Sequence, residues 1–362
     1  MAYTTIDDGS AHFQTVIWTG NDSNPRTISH GGNSDMQPDW LWHKLRSGIL
    51  SHMMYDSTRG VGKRLHPDQN AAEISQEDTG TITAFTSDGF TVDEGTSNDL
   101  YVNDGSRTYV SWGWKANGGT TTSVSASGSG ATQIVASTHQ ANTEAGFSIV
   151  TFTAPSIGSG NDFTVSHGLG GVAEMIILKR RNGTGNWHVY HKGTGNLGAT
   201  FLNLDNAFTD AEYFGDTDPT STVFSQSEGS ATDPGHTLIA YCFRSIQGYS
   251  KIGSYIGNGN ASHSPFIYTG FKPAWVIVKG TSSSREWFIF DSKRDPINPF
   301  AKYVKAEGTD AEASSAFGDF CSNGFKVRSD GASYNANAQT FIYMAFAENP
   351  FVSSKGTPTT AR

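Results

Sequence analysis

The sequence predicts an all-β protein made of three tandem antiparallel β-sandwiches, of jelly-roll or lectin-like type, with little helix. Three observations carry that expectation. Of 362 residues, 41 are Gly and only 16% are charged, and the polar positions go largely to Gly, Ser, Thr, Asn and Asp, which favour strands and turns over helix surfaces. Short runs of apolar residues at period two are separated by turn signals such as Asp88-Gly89 and Asn323-Gly324. The same succession of runs also recurs three times at constant offsets, the signature of an internal repeat.

Taken in chain order, residues 1–12 form an N-terminal arm before the first unit, 13–117. A Gly/Ser/Thr-rich stretch, 118–146, is expected to be a flexible or extended linker. The second unit covers 147–247, the third 251–351, and 352–362 is a C-terminal tail. Because only a few residues join units two and three, these are expected to pack as a rigid pair with the first unit freer. Each unit opens on a short strand near a Gly-rich turn, at Thr15–Gly20, Phe147–Phe152 and Ser254–Asn258.

An apolar strand ending in Lys follows: Pro38-Asp-Trp-Leu-Trp-His-Lys44, Ala173-Glu-Met-Ile-Ile-Leu-Lys179 and Pro273-Ala-Trp-Val-Ile-Val-Lys279. Twelve residues after each Lys stands an ionisable residue, Asp56, His191 or Asp291, at the end of a second strand. The third landmark is the Phe of Ser-Asp-Gly-Phe90, Ser-Thr-Val-Phe224 and Ser-Asn-Gly-Phe325. The units close on Tyr109–Trp114, Leu238–Phe243 and Phe341–Phe346, where alternation puts Val110, Trp112 and Trp114 on one face, matched by Ile239, Tyr241, Phe243 and by Ile342, Met344, Phe346. Cys242 falls where the other copies have Gly113 and Ala345, so it is expected to be a small strand residue and not a nucleophile. Cys321 lies beside a turn. Two short helices are expected at Leu202–Tyr213 and Asp310–Phe317.

Charge and cysteine content narrow the function classes. With 25 basic against 34 acidic residues the net charge is -9, which removes the electrostatic drive for gripping a phosphate backbone, so no nucleic-acid partner is expected. No run approaches the length of a membrane span, so no membrane insertion is expected. Two cysteines make no disulfide framework, and the first residues lack the basic start and apolar stretch of a secretory signal. Folding in a reducing cytoplasm is expected.

The recurring Asp56, His191 and Asp291, with Arg59 and Arg294 three residues on from the two Asp, are the strongest candidates for catalysis. Catalysis does not need three copies with one changed to His, so a strand-end carboxylate bonded to its turn and paired with Arg is the preferred reading. His188 and His191 would share a helix face as metal ligands do, but on a strand they point to opposite sides. Glu174, Glu228, Glu286 and Glu312 stand at non-equivalent positions, so no glycosidase pair is singled out. His167-Gly-Leu-Gly-Gly171 precedes a strand and not a helix, and therefore marks a tight turn rather than a phosphate loop. Trp40, Trp42, Trp112, Trp114, Trp187, Trp275 and Trp287 are expected in the core; Trp18 and Trp42 are the least constrained, and exposed loop aromatics could stack on a sugar. The sequence nominates no catalytic residue, no cofactor, no metal site and no specific ligand-binding residue.

Three runs carry a family resemblance: Pro273–Lys279, Gly-Tyr-Ser-Lys-Ile-Gly-Ser-Tyr-Ile-Gly-Asn-Gly at 248–259, and Phe-Ile-Tyr-Met-Ala-Phe-Ala-Glu-Asn-Pro-Phe at 341–351. With the opening Met-Ala-Tyr-Thr-Thr-Ile and the final Ala-Arg, the chain resembles a largely uncharacterised family of virion structural proteins of marine tailed bacteriophages, tail-fibre-like in usual assignment. The resemblance implies a non-enzymatic virion protein folded in the host cytoplasm. Its partners would be other virion proteins, as a homo-oligomer with a trimer favoured, and host surface polysaccharide. A tail fibre or receptor-binding protein is expected, with a capsid decoration, cement or head-fibre protein as the alternative and a polysaccharide depolymerase third.

Overall fold

A computed structural model describes residues 3–75, 78–96, 101–229 and 232–359. The first unit contains β1 (Phe13–Thr19), β2 (Arg26–Ser29), β3 (Trp40–Leu45), β4 (Met53–Asp56), β5 (Lys63–Arg64), β6 (Ile74–Ser75), β7 (Thr81–Thr86), β8 (Gly89–Asp93) and β9 (Thr108–Trp114). After β10 (Thr122–Val124) and β11 (Ser137–Asn142), the second unit has β12 (Phe147–Thr153), β13 (Asp162–Ser166), β14 (Met175–Arg180), β15 (His188–His191), β16 (Gly195–Phe201), β17 (Thr209–Asp210), β18 (Val223–Ser227) and β19 (Thr237–Phe243). The third has β20 (Ser250–Ile256), β21 (Phe266–Tyr268), β22 (Phe271–Gly280), β23 (Trp287–Asp291), β24 (Phe300–Lys305), β25 (Ala313–Cys321), β26 (Gly324–Val327), the four-residue helix α1 (Ala332–Asn335) and β27 (Thr340–Pro350).

The heart of each unit is an antiparallel ladder of the same order: opening strand, closing strand, Lys strand, Asp or His strand. It is β1-β9-β3-β4 in the first, β12-β19-β14-β15 in the second and β20-β27-β22-β23 in the third. The register also agrees. Phe13, Trp114, Trp40 and Asp56 lie side by side, as do Phe147, Phe243, Met175 and His191, and Ser250, Phe346, Trp275 and Asp291.

A smaller sheet packs on one face of each ladder: β2-β8-β7 in the first unit and β13-β18 in the second, while in the third the main sheet continues through β24-β25-β26-β21. Val16, Trp18, Ile28, Leu41, Tyr55, Phe90 and Tyr109 fill the first sandwich. Val150, Phe163, Val165, Ile176, Phe224, Ala240 and Cys242 fill the second. The opposite faces of all three ladders meet in one shared core holding Trp40, Trp112, Trp114, Phe147, Ile177, Tyr241, Phe243, Trp275, Ile277, Met344 and Phe346. The equivalent residues Trp114, Phe243 and Phe346 converge there, with Phe346 5.6 Å from Trp114 and 6.1 Å from Phe243 between ring centroids. Ladders buried on both faces explain why β3, β14 and β22 have near-continuous apolar runs instead of alternation.

Three expectations are corrected. The stretch expected to be a linker supplies β10 and β11, which extend the ladder of the second unit beside β12. Its polar composition is anchored: Asp39 accepts from the amides of Ala116, Gly118 and Gly119, and Gln140 from those of Asn117 and Gly119. The expected helices are absent because the backbone there bonds to a neighbouring unit. Phe208 N donates to Thr281 O and Glu312 N to Arg46 O, and Ala313–Cys321 is β25. The first unit is also no freer than the others, since it joins the shared core and makes contacts with both.

Candidate functional site

The landmark residues found in the sequence gather where units meet. Each landmark Lys lies in the middle of a ladder, pairing with Val110, Ile239 or Ile342 of its closing strand, and its ammonium reaches out of its own unit. Lys44 Nζ donates to Leu50 O at 2.5 Å and to Thr309 O of the third unit at 3.0 Å. Lys179 donates to Gly185 O at 2.8 Å and to Asn70 O of the first unit at 3.2 Å. Lys279 donates to Arg285 O and, at 2.8 Å, to Asp205 O of the second unit. The same foreign carbonyls take the backbone N–H of Leu50, Gly185 and Arg285. The three units therefore close in a ring: first to third, third to second, second to first. Burial pushes each of these ammonium groups down to about 8.

The ionisable residues at the strand ends complete these seams. In the seam between units two and one, Asp56 accepts from Arg59 N at 2.8 Å, Arg59 Nε at 2.5 Å and the Tyr241 hydroxyl of the second unit at 2.8 Å. Arg59 also donates to Glu73 at 3.1 Å, and Glu73 accepts a two-pronged contact from Arg181 of the second unit. The seam between units one and three repeats this set. Asp291 accepts from Arg294 and from Trp112 Nε1 at 3.0 Å, Arg294 donates to Glu312, and Glu312 takes a fork from Arg46. Burial pushes the carboxyls of Glu73 and Glu312 up, but the arginine hydrogen bonds and charges outweigh it and hold both below the usual range.

In the seam between units three and two every member of the set is exchanged. His191 stands for Asp, Thr194 for Arg, Phe208 for Glu and Thr281 for the second Arg. The cause is the closing strand: Met344, in the register of Trp112 and Tyr241, has no donor to offer an Asp. His191 reverses the bond. Its Nδ1 accepts from Gly193 N at 2.9 Å, so its Nε2 hydrogen faces Tyr343 O at 3.2 Å. Burial pushes His191 down to about 4, so the ring is neutral at pH 7.

These contacts leave the strand-end triad of Asp56, His191 and Asp291 packed against arginine, tyrosine, tryptophan and backbone, with no opening for a substrate. The other sequence candidates are dispersed. His188 packs on Phe201 and Tyr213, on the opposite side of β15 from His191. Glu174 holds Ser245 and Lys192, Glu228 the amides of Ile157 and Gly158, and Glu286 Lys305 and Ser333. His167–Gly171 turns through Gly168 and Gly170 in the left-handed region. Cys242 is buried between β12 and β14, which raises its thiol pKa, and Cys321 is half-buried. Among the described residues no three His, Cys, Asp or Glu side chains converge as metal ligands. All eight tryptophans, Trp18 and Trp42 included, are buried.

A family model for a domain of unknown function, DUF7483, matches residues 8–350, taking in all three units. The chain belongs to that family. No match appears among curated proteins or solved structures. Two surface features of this DUF7483 protein bear on binding. On edge strand β21, Phe266 and Tyr268 point outward, 47% and 55% exposed, while Ile267 between them is buried. A cleft of about 500 Å3 also lies between the first and third units, lined by Phe13, Gln14, Thr15, Ala274, Ser292 and Lys293 among others.

Sequence reasoning found the Lys and Asp landmarks but missed Glu73, and Asp68, Asn203 and Glu307. The last three accept the N–H of His52, Trp187 and Trp287 in turn. Asp68 and Asn203 both lie 24 residues beyond their Lys, an offset that was available; four extra residues displace Glu307.

Proposed function

We propose that this DUF7483 protein is a non-enzymatic structural protein of a bacteriophage particle, a tail fibre or receptor-binding protein that contacts glycan on the host surface. The phage setting is supported by the sequence resemblance. The binding role is supported by one observation above others: Phe266 and Tyr268 form an outward aromatic pair on an edge strand, where an exposed apolar surface is an aggregation hazard unless it has a use. Residues i and i+2 of a strand share a face, so the two rings can stack on successive faces of a saccharide. Tyr3 brings its hydroxyl to 3.3 Å from that of Tyr268, adding a polar group beside the rings. Assembly with other virion proteins, as a homotrimer, belongs to the same reading.

The isolated protein is expected to compete with particles for adsorption to host cells, and the Phe266→Ala/Tyr268→Ala double variant to lose that competition while keeping its melting temperature. Competition by wild type and variant alike contradicts the aromatic site, and absence of competition by either contradicts the adhesin reading. A second reading, a decoration or head-fibre protein, is favoured by the ring of three units in one chain, which suits a position of local threefold symmetry. Copy number per particle separates the two, since a decoration protein follows the capsid lattice.

A further inference from the structure

The cleft between units one and three is the counterpart of a place that is filled elsewhere in the molecule. In the second unit β11 pairs along β12, with Gln140 opposite Ile149, Ala141 opposite Ser148 and Asn142 opposite Phe147. From there Gln140 donates to Ser57 at 2.9 Å and Thr58 at 2.9 Å of the first unit and accepts from Asn117 and Gly119 N. Asn142 donates to Lys115 O. The repeat register translates each of these positions. Phe147, Ser148 and Ile149 become Phe13, Gln14 and Thr15; Ser57 and Thr58 become Ser292 and Lys293; Asp39 becomes Ala274; Lys115 and Asn117 become Ala347 and Asn349. All eight translated residues line the cleft.

Among the described residues no strand occupies the matching place in the first unit. β1 is paired with β9 on one side and is the edge of its ladder on the other. The residues before it turn away instead of folding back: Tyr3 donates to Gly270 O, and Asp7 accepts from Ser354. In the third unit the chain covers its own edge, because Ser245 Oγ accepts from Ile252 N and Ile246 bridges to Ser250. The first unit also carries a polar group with nothing to bond. Thr15 stands where the other units have Ile149 and Ile252; it is 5% exposed, lines the cleft, and its hydroxyl has no partner among the described residues. A buried hydroxyl left unbonded costs about 1–3 kcal/mol, which an arriving polar group would recover.

The charge of the cleft names the occupant. Relative to the β11 site, Ala274 removes the Asp39 carboxylate and Lys293 puts an ammonium in place of the Thr58 hydroxyl. The nearby Asp8 carboxylate is already held by Ser10 and Ser34. We propose that this cleft is an acceptor groove for an extended acidic segment of a partner polypeptide, which adds beside β1 as β11 adds beside β12 and sets a Glu carboxylate, at the Gln140 position, against Ser292 and Lys293. The cleft volume lies within the ~300–1,000 Å3 of typical ligand sites, and addition of a strand to a free edge is a recurrent mode of peptide recognition. The groove shares no lining residue with the Phe266 and Tyr268 pair, would read peptide and not sugar, and does not depend on the glycan proposal.

The probe is a fluorescein-labelled peptide copying residues 135–143, Val-Ala-Ser-Thr-His-Gln-Ala-Asn-Thr, with Gln140→Glu, titrated by anisotropy with the full chain. Saturable binding is expected, about tenfold weaker for the unsubstituted peptide. Exposed Lys293 can be reversed without disturbing the core, and Lys293→Glu is expected to invert the preference toward a peptide with Gln140→Lys. Hydrogen exchange should slow at Thr15 and Ile17. No binding at about 1 mM protein, an unchanged preference in Lys293→Glu, no protection along β1, or equal displacement by free glutamate or galacturonate each overturns the proposal.

Discussion

Two of the three seams are ionic and one is neutral, although their backbones make the same bonds. Glu73 N to Arg181 O, Glu312 N to Arg46 O and Phe208 N to Thr281 O are equivalent contacts at 2.8 to 2.9 Å. What differs is the side-chain set laid over them, and it differs as a set: where Met344 offers no donor, Asp, both Arg and Glu are all exchanged together. A buried charge is tolerated only with its partners, so a single exchange would leave an uncompensated ion, whereas a complete exchange leaves none. The third seam thus shows that the ring closes without the Asp, Arg and Glu set, on the lysine and backbone bonds common to all three.

The largest effect should come from breaking an ionic set by one member. Asp56→Ala leaves fully buried Arg59 with Glu73 as its one carboxylate and the Tyr241 hydroxyl without its acceptor, and is expected to cost about 3–5 kcal/mol by urea unfolding. Replacing that whole set by its neutral counterparts, Asp56→His, Arg59→Thr, Glu73→Phe and Arg181→Thr together with Tyr241→Met, should cost less than Asp56→Ala alone. A cost equal to the sum of the single changes would break the comparison.

Acid should act next, and through the histidines. His191 has a folded pKa of about 4 against about 6.5 unfolded. Between those values the unfolded chain binds more protons, so stability falls as pH drops from 6.5 toward 4, by up to about 3 kcal/mol for this residue. His30, His43, His66, His167 and His188 are likewise pushed down to about 4 by burial and add to the loss. In His191→Asn the slope of stability against pH over this window should shrink by one proton; an unchanged slope means that His191 is already charged in the fold.

The lysines sharpen the comparison from the other side, because they are common to all three seams. Lys44→Met, Lys179→Met and Lys279→Met each remove two hydrogen bonds to part-buried carbonyls, one of them across a seam, and each should cost about 2 kcal/mol regardless of seam type. A loss confined to the ionic seams would mean that the ammonium acts through charge rather than through the carbonyls. The smallest effect is expected at Glu307. Its pKa is raised by burial to about 7, so the folded state binds the extra proton and stability is lost as pH rises from about 4.5 to 7. Glu307→Gln should flatten the dependence of stability on pH over that window, since neutral Asn203 makes the equivalent bond in the second unit.

Constant offsets made the equivalence of Lys44, Lys179 and Lys279 legible, together with the strand succession and the all-β class. They did not reveal what the equivalent residues touch. An offset reports that three positions share a role, while the partner of Lys44 is Thr309, 265 residues away. The closing-strand alternation correctly grouped Trp112, Tyr241 and Met344, but alternation alone cannot tell a sandwich interior from a core shared between units. Composition misled at 118–146, where Gly and Ser imply freedom, whereas pairing with β12 and bonds to Asp39, Ser57 and Thr58 of the first unit fix the segment. The Leu202–Tyr213 stretch looked helical in isolation because the groups that hold it, Thr281 O, Arg285 N and the Lys279 ammonium, lie in the third unit. The cleft was invisible, since it is defined by a strand that is missing.

The central claim is that the three units are one ring around one core and not independent modules on a linker. Differential scanning calorimetry of the full chain tests it most directly. The account predicts one cooperative transition, with an enthalpy on the order of 250 kcal/mol and agreement between calorimetric and van't Hoff values, shifted downward as a whole by Asp56→Ala. Two or three separable transitions, with Asp56→Ala moving only the one that belongs to the first unit, would contradict it.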